Sequence, residues 1–70
     1  MRALKSEKIR GSMDNKKSTF TVELLQISDG FEVTYSDTKG WGIGHKTFEK
    51  CADMTEAIQS YSNLVQLIQI

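Results

Sequence analysis

The side chains in this 70-residue sequence that could do covalent or acid–base chemistry are few. Cys51 is the one thiol and His45 the one imidazole. A nucleophilic site would need these two in contact, with a third group orienting the base, and no such third group is visible. Cys51 stands two residues before an expected helix start at Asp53, where a helix dipole could lower a thiol's pKa; the other reading is an inert, packed thiol. A structural Cys/His zinc site takes four ligands, more than these two residues supply. Glu23, Glu32, Asp37 and Glu49 read as solvated strand and turn positions, the usual place for carboxylates. No cofactor, metal or catalytic set is expected, and the chain reads as a non-enzyme.

Gly40-Trp41-Gly42-Ile43-Gly44 is glycine-rich but does not fit a phosphate loop. Such loops place glycines at a strand-to-helix turn, with the anion on the helix N-terminus. Here the glycines alternate along an expected strand, well ahead of the helix. Gly42 and Gly44 would leave part of a sheet face without side chains, a flat patch open to a partner or a strand kink. Trp41, at the head of that strand, is either the largest core residue or an aromatic interface anchor. Trp41, Gly42, Gly44 and His45 are therefore candidate partner-binding residues.

These residues must be positioned by a small fold. The alternation of Phe20, Val22 and Leu24 with Thr19, Thr21 and Glu23 predicts a strand. It slips at Leu24-Leu25, as at a bulge or a strand end. Asp29-Gly30 predicts a hairpin turn, and Phe31, Val33 and Tyr35 a second strand. Ser36–Gly40 predicts another turn, with Trp41, Ile43, His45 and Thr47 on one face of a third strand. Asp53 and Glu56 have the spacing of a capping box. Beyond them Met54, Ala57, Ile58, Tyr61, Leu64, Val65 and Ile68 form one helical stripe. Leu64–Ile70 is also compatible with a further strand. The expected architecture is α+β, a three-stranded antiparallel meander packed against one C-terminal helix.

Nine basic and nine acidic residues cancel over the whole chain. They are unevenly placed. Residues 1–17 carry Arg2, Lys5, Lys8, Arg10, Lys16 and Lys17 against Glu7 and Asp14. With few apolar residues, this segment reads as a flexible basic leader, and Gly11-Ser12-Met13 as a junction ahead of a natural start. Residues 18–70 would then form the single domain. No apolar run reaches the ~20 residues of a membrane span, and no disulfide framework is available. A soluble, cytoplasmic domain with no membrane partner is expected.

Three strands followed by a helix, with Phe48 and Thr55-Glu56-Ala57 leading into it, resembles the small DNA-binding domains of the integrase-arm type over residues 18–65. The resemblance implies an open sheet face that enters a DNA groove with Arg and Lys side chains. The matching outer positions are Thr21, Glu23, Glu32, Thr34, Gly42, Gly44 and Lys46. A nucleic-acid module using the basic leader with Lys39, Lys46 and Lys50 is thus the alternative reading. The preferred one is a protein-interaction module, a small regulator or inhibitor of phage or mobile-element type. Leu25, Ile27, Leu67 and Ile70 exceed what one sheet and one helical stripe need. Leu67 and Ile70 could close a homodimer, since small domains gain core by pairing.

Overall fold

A computed structural model describes residues 2–13, 15–37 and 46–68. Four antiparallel strands lie in the order of the chain: β1 (Arg2–Met13), β2 (Lys16–Ile27), β3 (Gly30–Asp37) and β4 (Lys46–Cys51). One helix, α1 (Met54–Ile68), packs across all four. The α+β class and the C-terminal helix agree with the sequence reading. The strand count does not, because the segment expected to be a flexible leader is β1. It pairs with β2 from Arg2↔Gln26 to Met13↔Lys16.

The turn that folds β1 onto β2 depends on Asn15, whose φ of 64° lies in the left-handed region that asparagine tolerates. Cross-strand partners share a face. The residues pairing with the inward Phe20, Val22 and Leu24 are Ile9, Glu7 and Lys5. Only Ile9 among these is apolar, so β1 shows no clear alternation in sequence. Ile9 is nevertheless part of the core with Phe20, Val22, Leu24, Val33 and the helix residues Ala57, Tyr61, Leu64 and Ile68. Phe31, Tyr35 and Phe48 pack at the edge of this cluster.

The register corrects three local expectations. The bulge foreseen at Leu24-Leu25 falls on the facing strand, at Leu4, between the pairs Ala3↔Leu25 and Lys5↔Leu24. Alternation in β2 therefore continues, and Leu25 lies on the outer face at 8% exposure, outside the core cluster. The β2–β3 turn is Ser28-Asp29, with Ile27 paired to Gly30. The positive φ sits on Gly30, where a Cβ would come within 2.5 Å of the Cys51 carbonyl oxygen. The last strand is described over Lys46–Cys51, running past the expected end at Thr47, and a second register shift leaves Phe48 unpaired between Thr47 and Glu49; residues 41–45 lie outside the described residues. Thr47 is thereby on the outer face, where its hydroxyl donates to Glu32 Oε2 at 2.7 Å.

Asp53 caps α1 as expected. The Glu56 amide donates to Asp53 Oδ1 at 2.9 Å, and the Ala57 amide donates to the Asp53 carbonyl at 3.1 Å. The helix continues through Ile68, which overturns a strand from Leu64 onward. At its far end the last turn lies directly on β1. A Cβ at Gly11 would come 1.8 Å from the Ile68 carbonyl oxygen. Gly11→Ala should accordingly cost about 1–3 kcal/mol and lower the melting temperature by roughly 5–20 °C. A thermal melt of the variant checks this, and an unshifted transition would show that the helix end does not rest there.

Candidate functional site

The helix meets the sheet at a different rotation from the one its apolar stripe predicts. The buried residues are Ala57, Ser60, Tyr61, Leu64 and Ile68. At 100° per residue, this set is turned toward Ser60 relative to the predicted stripe. Met54 and Ile58 are consequently exposed, at 40% and 57%, rather than buried. Leu67, which falls outside the stripe, is 47% exposed. Each flank of α1 thus borders an open surface of its own character.

On the β1 side, Leu24, Ile58, Tyr61 and Val65 line an open groove of about 600 Å³, with Lys5 and Glu7 at its rim. Tyr61 is buried up to its hydroxyl, which donates to Glu7 Oε1 at 2.6 Å. Lys5 Nζ lies 5.0 Å from the Tyr61 ring centroid and 3.9 Å from Glu7 Oε1. These contacts explain how a strand with Lys and Glu at inward positions joins the sheet: the tyrosine's polar end and π face receive them. Burial first, and then the Glu7 carboxylate, push the Tyr61 hydroxyl well above its ordinary pKa.

On the β4 side, Glu49, Thr55, Glu56, Gln59, Ser60 and Asn63 line a shallow recess of about 420 Å³. Gln59 Nε2 donates to Asn63 Oδ1 at 3.0 Å. Ser60 is buried, and its Oγ has no hydrogen-bond partner. Cys51 lies against Ser60 at the end of β4. The hydroxyl slightly favours its thiolate, although the contact falls short of hydrogen-bond geometry. Burial and the charges of Glu49, Glu56 and Asp53 outweigh this and push the Cys51 thiol up. Of the two readings of Cys51, activated by the helix dipole or inert and packed, its burial and the upward shift favour the second. The three nearby carboxylates were visible in the sequence, but their convergence on Cys51 was not.

Trp41, Gly42, Gly44, His45 and Ile70 lie outside the described residues, as does Lys39. Leu67 is the one predicted partner-binding residue within them, exposed as expected on the recess side of α1. The groove residues Ile58 and Val65 and the pair Glu7–Tyr61 were not foreseen as site residues. Among the described residues no group of three His, Cys, Asp or Glu is placed to hold a metal, and no helix is long and apolar enough to cross a membrane. Compared with known proteins, the chain matches no family model, no curated protein and no solved structure. Its surfaces speak only through their own chemistry.

Both raised groups bear on stability. A proton held more tightly in the folded state stabilises below the unfolded pKa and is lost as a factor when pH rises past it. The fold should therefore weaken as pH climbs above about 9 for Cys51 and about 10 for Tyr61. Melting temperatures of the wild type and Tyr61→Phe from pH 8 to 11 test the larger effect, with the variant expected to lose less. In the same pH series, native Cys51 should alkylate far more slowly near neutral pH than in denaturant. Equal rates would show an open, ordinary thiol.

Proposed function

We propose that the chain is a non-enzymatic protein-interaction module, a small regulator or inhibitor, that meets its partner through the exposed flanks of α1. One observation carries this reading. Of the four exposed large apolar side chains among the described residues, Met54, Ile58 and Leu67 are on this helix. Single exposed apolar residues are ordinary on a protein surface. Three on one 15-residue helix, with a groove on one side and a recess on the other, concentrate the exposed apolar side chains of the described residues on α1.

The first partner to test is a second copy of the chain, because a domain this small gains core by pairing. Sedimentation should show a dimer that becomes a monomer of lower melting temperature on Leu67→Asp. An unchanged sedimentation coefficient for that variant would remove self-association through Leu67.

A nucleic-acid reading has one observation of its own. Because β1 joins the sheet, Lys8 and Arg10 share the outer face with Thr21 and Thr19, and Lys17 follows diagonally on β2. The outer face of the sheet is thus more basic than residues 18–70 alone would make it, with Glu23 and Glu32 as counter-charges. Duplex binding that weakens steeply with salt and drops on Lys8→Ala with Arg10→Ala would support it. No mobility shift at low salt would eliminate it.

A further inference from the structure

We propose that the free edge of β1 takes an acidic, extended segment of a partner protein as a fifth strand, whose apolar side chains enter the groove between β1 and α1. The inference rests on the interaction-module reading and gives that partner a conformation and a charge. β1 stands at one end of the sheet order, so among the described residues no strand lies beyond it. From Lys5 to Met13 it runs in unbroken register with β2, and its one bulge precedes that stretch. The other end of the sheet is β4, only six residues long. A long, regular edge is a template for a further strand, because its outward N–H and C=O groups have no ladder to join.

The groove along this strand is a second observation, independent of the backbone. Lys5 and Glu7 of β1 and Ile58, Ser62 and Val65 of α1 line it, and it reaches Leu24 on β2. A strand added to β1 would lie about 4.8 Å farther out. Every second side chain of that strand points to the helix side of the sheet, toward the flank on which Ile58 is 57% exposed. Main-chain bonds along the edge would supply affinity, and the groove a preference for apolar residues at alternate positions.

Charge selects the occupant. β1 carries Arg2, Lys5, Lys8 and Arg10 against Glu7 alone, and all five are exposed. Glu7 is moreover committed to the Tyr61 hydroxyl. A second copy of β1 would set this basic edge against itself, and like charges opposed across a strand pair destabilise it. Lysines on an edge are a common guard against sheet extension, but they repel basic strands and not acidic ones. The outer face repeats the preference. Lys8 and Arg10 lie there beside Thr21 and Thr19, so acidic residues alternating with the apolar ones would meet them in opposite-charge pairs. The partner segment is therefore apolar toward α1 and acidic on its other face.

The test is an NMR titration of the intact chain with the capped peptide Asp-Val-Glu-Val-Asp-Val-Glu, read by amide shifts and hydrogen exchange. Three comparison peptides replace every acidic residue by Lys, replace every Val by Ser, or carry N-methyl groups on alternate amides in either phase. The acidic peptide should slow exchange at alternate amides of β1 about tenfold or more and shift the signals of Ile58 and Val65. The Lys and Ser peptides should bind more weakly. Methylation in one phase should abolish binding and in the other spare it, because only one set of peptide amides faces β1. Lys8→Glu with Arg10→Glu should weaken binding about fivefold or more, and Ile58→Ser about threefold or more, while Asp29→Asn in the β2–β3 turn leaves it unchanged. Equal binding of the Lys peptide, indifference to both methylation phases, protection located elsewhere, or a DNA duplex that shifts the β1 signals where the peptide does not would overturn the assignment. Sedimentation of Leu67→Asp in parallel keeps the two readings apart. Self-association lost on that substitution, with no peptide binding, removes the added strand alone; failure of both removes the module reading as well.

Discussion

Much of this fold depends on the last helical turn lying against the backbone of Gly11, closer than any side chain there would allow. Any side chain there would push the Ile68 carbonyl away, and with it the end of the helix that covers the core. Ile9, two residues earlier on β1, contributes to the same core, and Glu7, two earlier again, receives the Tyr61 hydroxyl. One face of β1 thus carries a polar clasp, an apolar plug and a bare backbone in succession, each matched to a residue of α1 or of the core beneath it. A chain of this size buries little surface, so the fold has few other contacts to substitute for these.

The seat on β1 also bears on the surfaces at either side of the helix. With its end against Gly11 and Tyr61 tied to Glu7, α1 turns Ser60 inward and leaves Ile58 and Met54 outward. The apolar groove and the acidic recess are two results of that one rotation. Burying Ile58 in place of Ser60 would satisfy the hydrophobic pattern of the helix better, and local propensity gives no reason against it. Tertiary contacts decide the matter, as they commonly do when helix packing competes with a simple stripe.

Much of the fold was legible where residues alternate cleanly. Phe20, Val22 and Leu24, then Val33 with Phe31 and Tyr35, announce β2 and β3, and Asp53 with Glu56 announces the helix start. β1 was not legible, because two of its inward residues are Lys5 and Glu7. Charged residues at core-facing positions signal a strand only when their acceptor is known, and Tyr61 is 54 residues away from Glu7 in sequence. Thr47 falls on the outer face because an unpaired Phe48 resets the phase between it and Glu49, and no composition rule announces such a residue. The exposure of Leu67 could be read from the helical wheel. The recess beside it could not, since Glu49 and Glu56 meet only through the packing of strand against helix.

The clasp and the plug join opposite ends of the chain, and this has a consequence for the order in which the protein is made. Hairpins β1–β2 and β2–β3 involve near neighbours and can pair while synthesis continues. The helix that covers them follows all four strands in the sequence, and until it emerges it cannot cover the inward face of the sheet. Chains emerge at about 5–20 residues per second, so the exposed interval lasts seconds, long beside the microseconds in which a hairpin forms. During that interval the charged residues of β1 stand along the sheet's longest free edge, where charged side chains discourage pairing with another nascent chain. Lys5 and Glu7 are thus placed to guard the unfinished sheet before they come to hold the finished one.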